Sequence, residues 1–162
     1  MRTSGGMLVY GVPTYRLKNE IAINECSAIE HLGAKIHYNV KVGRDITMTE
    51  LLSQYNAVFI GTGLWKSREL PIPGADAPDI ISGIEYLRVR CAQGKWKIGE
   101  HIVVVGGGNV AFDVARTSIR NGAKTVTMVC LESRDEQTAD EFEIEDGFHE
   151  GIKESRRNNL TV

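Results

Sequence analysis

Cysteine pairs are missing from this chain. Cys26, Cys91 and Cys130 lie far apart and no CxxC occurs. A zinc ribbon, an iron–sulfur loop and a redox disulfide are therefore not indicated, and each cysteine reads as a buried or half-buried thiol. No apolar run reaches the ~18 residues of a membrane helix, and no signal or transit peptide is legible. The expectation is a cytoplasmic protein with no membrane partner. Charge of one sign is not in excess either. The 19 Lys and Arg against 21 Asp and Glu leave a net charge of -2, with both signs scattered. That argues against nucleic acid as a partner. The histidines His31, His37, His101 and His149 have neither ligand spacing nor a Ser or Cys partner. No metal site and no catalytic residue is expected from them.

The 162 residues make one ordinary domain or two small ones. A chain of this length buries roughly 70% of its unfolded surface and needs no covalent staples. Proline is scarce, and Pro71, Pro73 and Pro78 cluster in or beside "ELPIPGADAPD". That stretch breaks any helix and marks a domain boundary within residues 64–77. Before it, Ile21, Ala22, Cys26, Ile29 and Leu32 recur near helical spacing, with Gly33 as a stop. "AKIHYNV" reads as a strand, and Asp45 or Thr47 caps a short helix. "NAVFIGTG" reads as a strand buried on both faces of a parallel sheet. After the boundary come a helix in "ISGIEYLRVRCAQG", the strand "HIVVV", a glycine turn and a helix from Asn109 to about Asn121. The strand "KTVTMVCL" and an acidic helix from Asp140 to Glu150 follow. This order implies an α/β fold with a parallel sheet.

What the chain does have is the turn Gly106-Gly107-Gly108-Asn109-Val110-Ala111. It fits the GxGxxA dinucleotide fingerprint. Gly106 allows a tight turn off the strand. Gly108 lets a pyrophosphate approach the backbone, and Ala111 lets the helix pack near the strand. The helix start aims free N–H groups and a partial positive charge at the phosphates. A strand before, a helix after and a second strand within about 30 residues give the motif its required context. At the end of the second strand an acidic residue favours the ribose 2′-OH of NAD, and an arginine favours the 2′-phosphate of NADP. Glu132 lies 24 positions after Gly108 and points to NAD(H) over NADP(H); Arg134 keeps NADP(H) open. Asp113 and Arg116 read as a surface pair one helical turn apart, and "DEQTADEFEIED" as a solvated face.

Several stretches in series, "GGMLVYGVPTYRL", "AVFIGTG", "IPGAD" and "VVVGGGNVAFDVARTSIRNGAKTVTMVC", resemble the flavin oxidoreductases typified by the small (beta) subunit of glutamate synthase. The flavin half of dihydropyrimidine dehydrogenase belongs to the same group. The resemblance implies two nested dinucleotide domains: a Rossmann-like NAD(P)-binding domain and part of an FAD-binding domain. Residues 1–63 would belong to the FAD domain, 64–77 to a linker and 78–162 to the NAD(P) domain. It implies that Gly5, Gly6, Met7 and Arg16 lie where the chain passes the flavin. Val42 would meet the adenine of FAD, and Gly61, Thr62 and Gly63 would lie over the cofactor. Gly107, Gly108, Asn109 and Val110 would carry the NAD(P) phosphates. The implied activity is hydride transfer from NAD(P)H to FAD, with electrons passed to an iron–sulfur or glutamate synthase large-type partner.

The chain departs from that family in three places. A GxGxxG for FAD and upstream cysteines for iron–sulfur binding are absent. Leu131-Glu132 stands where the family often has Arg-Arg, which weakens the case for NADP. The tail "ESRRNNLTV" does not look like the family. The expectation is an internal fragment whose FAD-domain strands lack neighbours and expose an aggregation-prone edge. A different reading is a dinucleotide-binding or subunit-docking module without flavin or turnover.

Overall fold

A computed structural model of the chain describes residues 3–93 and 98–155. The chain divides into two units, Met1–Lys66 and Ser67–Val162.

The first unit carries three helices, α1 (Met7–Tyr10), α2 (Asn19–His31) and α3 (Met48–Gln54). Helix α2 ends one residue before the expected Leu32, and Gly33 follows at φ 100°, the left-handed conformation that closes helices. Of the two expected caps for α3, Thr47 is the one used. Its hydroxyl accepts from the Glu50 N–H, and the Glu50 carboxylate accepts from the Thr47 N–H.

The two strands expected in this unit do not form. Residues 34–40 and 56–63 carry no strand pairing, and the only bridge among the described residues outside named strands joins Val42 to Ile46. Phe59 is 95% exposed and Ile60 66%. The cause is the nature of a strand: an apolar run becomes one only when a neighbour takes its backbone N–H and C=O groups. Among the described residues of this unit no such neighbour exists. The apolar stripe of α2 is uncovered in the same way: Ala22 is buried, whereas Ile21, Ile29 and Leu32 are exposed.

The second unit holds α4 (Gly83–Gln93), β1 (His101–Val105), α5 (Asn109–Arg120), β2 (Thr125–Val129), a single 3-10 turn (Arg134–Glu136), α6 (Glu141–His149) and β3 (Lys153–Ser155). Gly94, expected near the end of α4, lies outside the described residues, as does the Cys91 side chain. The strands form one parallel sheet in the order β1-β2-β3, with His101 beside Thr125 and Val105 beside Val129. Strand β3 had no sequence signal; it pairs Thr127 through Val129 with Lys153 through Ser155.

Period-two alternation sends Val104, Val126 and Met128 into a core with Phe112, Ala115, Ala139, Ile144 and Ile152. Val103 and Val105 point to the other, exposed face of β1. Phe112 is fully buried and meets Phe148 edge to face, centroids 6.4 Å apart. Gly147 on α6 makes room for that ring: a Cβ there would sit 2.7 Å from Phe112 Cδ1.

Candidate functional site

The glycine turn joins β1 to α5. Gly106 has φ 136°, a backbone state that side-chain-bearing residues rarely adopt, and its N–H is held by the Val129 carbonyl at 2.9 Å. A Cβ on Gly106 would lie 3.4 Å from the Ala111 Cβ, so the helix start packs against the turn. Gly108 caps α5 in extended conformation and contributes no side chain to the cap. The Ala111 and Phe112 N–H groups return to the Gly108 carbonyl. Among the described residues, the N–H groups of Gly107, Gly108, Asn109 and Val110 have no acceptor. Four donors at the positive end of a twelve-residue helix fit a pyrophosphate.

The chain after β2 runs along this turn. A Cβ on Gly107 would meet Cys130 Cβ at 3.2 Å and Gln137 Cγ at 3.3 Å; one on Gly108 would meet Thr138 Oγ1 at 3.2 Å. Gln137 Nε2 donates to Glu154 on β3 at 2.7 Å and lies 3.3 Å from Cys130 Sγ. Burial pushes the Cys130 thiol up, against a smaller lowering by the Gln137 hydrogen bond, so the group stays a thiol at neutral pH. The Asn109 side chain is committed at both ends. Its Nδ2 donates to Asp140 at 2.8 Å, and its Oδ1 accepts from the Asp140 N–H at 2.9 Å.

Glu132 is exposed, three residues past β2, and among the described residues no hydrogen bond holds its carboxylate. Arg134 sits in the 3-10 turn with its guanidinium 5.0 Å from the Phe148 ring centroid. The turn itself is fastened by Ser133, whose hydroxyl donates to Glu136 at 2.8 Å.

Arg116 is no surface residue. It is 6% exposed and reaches across to α6, where Glu143, Asp146 and Glu150 take its guanidinium at 2.8–3.0 Å. Arg120, one turn on, also grips Glu150. The acidic helix is therefore solvated on part of its surface only, and Glu143 is buried. Burial raises the Glu150 carboxyl, and the hydrogen bonds and positive charges of Arg120 and Arg116 together lower it by more, leaving it below the usual carboxylate range. In the sequence, acidic residues at 143, 146 and 150 and arginines at 116 and 120 each form a helical stripe, but a stripe does not name its partner.

The residues matched to the flavin lie in the first unit. Gly6 caps α1 at its first residue, Met7. Arg16 has its guanidinium 5.4 Å from the Tyr15 ring centroid. Val42 forms the isolated bridge, and the exposed Gly61, Thr62 and Gly63 end no strand. Among the described residues, no three His, Cys, Asp or Glu side chains gather to hold a metal ion. No helix there is long and apolar enough to cross a membrane.

Residues 14–153 match the sequence pattern described as pyridine nucleotide-disulphide oxidoreductase. The chain belongs to that family. Its relatives include the "NADP(+)-dependent formate dehydrogenase subunit beta" of Moorella thermoacetica, 41% identical over 155 residues. The match takes in 92% of this chain and 22% of the relative. The "Glutamate synthase [NADPH] small chain" of Azospirillum brasilense is 30% identical over 161 residues, 92% of this chain and 33% of the relative. The resemblance to the glutamate synthase small subunit therefore holds, and the chain spans between a fifth and a third of these relatives' lengths. The solved structure of Mycobacterium tuberculosis FprA in complex with NADPH superposes with a TM-score of 0.71 at 22% identity. It covers 93% of this chain and 39% of FprA, and agrees with the α/β, parallel-sheet fold.

The relatives overturn the expectation of NAD(H): both carry NADP(+) or NADPH in their names. The weakness lay in weighting Glu132. An exposed carboxylate held by no hydrogen bond can swing into solvent, where salt screens its repulsion of a phosphate.

Proposed function

We propose that the chain is the nucleotide-holding part of an NADP(H)-dependent flavin oxidoreductase. One observation carries this reading: the four unpaired N–H groups of Gly107 through Val110 at the head of α5. The dinucleotide pyrophosphate would rest on the turn from Gly106 to Ala111. Arg134 would meet the 2′-phosphate, for which a guanidinium offers a rigid fork of donors. The NADPH names of the relatives support this choice.

The division of the chain between Lys66 and Ser67 falls inside the proposed linker, residues 64–77. It supports a reading of residues 1–63 as part of an FAD domain and 78–162 as the nucleotide domain. Gly6, Met7, Arg16, Val42, Gly61, Thr62 and Gly63 would join the flavin site only within a longer protein. When bound, NADPH supplies a hydride, and FAD takes two electrons that can leave singly. The residues of this chain would bind and orient the nucleotide, and no acid or base among them is needed for the hydride step. An iron–sulfur or glutamate synthase large-type subunit would receive the electrons.

A second reading is favoured by the unpaired stretch 56–63: a nucleotide-binding or docking module without flavin. Absorbance separates the two. A purified protein with a flavin spectrum that bleaches when NADPH is added without oxygen supports the oxidoreductase. A colourless protein that binds NADPH supports the module. Binding of neither cofactor overturns both.

A further inference from the structure

Asp140 occupies the N-cap of α6, where an aspartate ordinarily accepts from its own helix. It makes no such cap here. Its carboxylate accepts from Asn109 Nδ2, and its N–H donates to Asn109 Oδ1, 31 positions away in sequence. This reciprocal pair closes a longer seam. Gly107 faces Cys130 and Gln137, Gly108 faces Thr138, and Asn109 holds Asp140, so three successive turn residues meet the chain after β2. Gln137 anchors the near part of that chain to Glu154 on β3. Arg134 lies between Cys130 and Asp140, above Phe148 of α6. The absent side chains at Gly107 and Gly108 therefore have a second use besides admitting a phosphate: they let this segment lie close to the turn.

We propose that Asp140 is a positioning residue for nucleotide choice. Its clasp on Asn109 fixes the segment bearing Arg134 at a set distance from the glycine turn. Arg134 then meets a 2′-phosphate while the turn holds the pyrophosphate. Asp140 itself touches no ligand. The inference rests on the nucleotide reading above, and its failure is distinguishable from the failure of that reading.

The test uses two probes that differ by the 2′-phosphate alone: 2′,5′-ADP and 5′-AMP, titrated calorimetrically into the protein. Wild type binds 2′,5′-ADP more tightly. Asp140→Ala lowers that preference about fivefold to tenfold, the loss of the one charge-assisted hydrogen bond from Asn109 Nδ2, since the backbone N–H half of the clasp survives. Its affinity for 5′-AMP scarcely changes. Asp140→Asn, which can still accept from Asn109, keeps most of the preference. If Asp140→Ala lacks a native melt, Asp140→Ser carries the test, because serine caps the helix but is too short for the clasp. An unchanged preference in a folded variant overturns the inference. So does an equal loss for both probes, which would mark Asp140 as merely structural. A wild type without any preference overturns the underlying nucleotide reading instead.

Discussion

Gly147 is a glycine because of its neighbour, not its backbone. Its place on α6 would put a Cβ 2.7 Å from Phe112 Cδ1 and 3.1 Å from Ile152 Cδ1, both in the core. Gly147→Ala should lower the stability of the second unit by about 1–3 kcal/mol through overpacking, read as a lower urea midpoint. Gly147 carries no sequence signal, since a glycine within an acidic helix looks like a weak helix former and nothing more. Glu150 gives a pH prediction. Burial raises its carboxyl, and the hydrogen bonds and positive charges of Arg120 and Arg116 together lower it further than that. A carboxyl held below its unfolded value of about 4.3 contributes stability above that pH and loses it as pH falls through the folded value. The urea midpoint should therefore fall more steeply below about pH 5 in wild type than in Glu150→Gln. Equal slopes would mean that the two arginines do not hold Glu150.

Helices α5 and α6 are joined by opposing stripes of charge. Breaking a buried pair costs more than the pair is worth, because the surviving charge stays buried. Glu143→Ala should cost about 3 kcal/mol, the low end for such a break, since Arg116 keeps Asp146 and Glu150. Chemical denaturation of that variant beside Glu143→Ala/Arg116→Met checks this; the double variant should recover part of the loss. At this scale much was legible. The bounds of β1, α5 and β2 follow the apolar pattern and the glycines, because a strand, a tight turn and an amphipathic helix are local devices. The pairings of Arg116 with Glu143 and of Asn109 with Asp140 were not. They join positions 27 and 31 apart, and spacing within one helix is silent on partners in another. Strand β3 was missed because three residues of mixed polarity, Lys153, Glu154 and Ser155, show no period.

Across the whole molecule the two units differ in how much of their apolar pattern finds cover. In the second, a sheet and two helices enclose Phe112, Val126 and Met128. In the first, the run containing Phe59 and Ile60 is extended and exposed, although its composition is that of a buried strand. The pattern was legible; its pairing was not, since strand formation depends on a neighbour that the pattern does not contain. Such an exposed apolar run is sticky. Replacing Phe59 and Ile60 together by serine should reduce the light scattering of concentrated protein without moving the melting transition of the second unit. The carboxylate of Glu132 was legible, but its freedom in solvent was not, and that freedom removed its value as a guide to NAD(H). The most direct measurement is calorimetric titration of the protein with NADPH and with NADH under identical salt. NADPH should bind tighter by at least about tenfold, the contribution of one well-held phosphate. Equal affinities, or tighter binding of NADH, would contradict it.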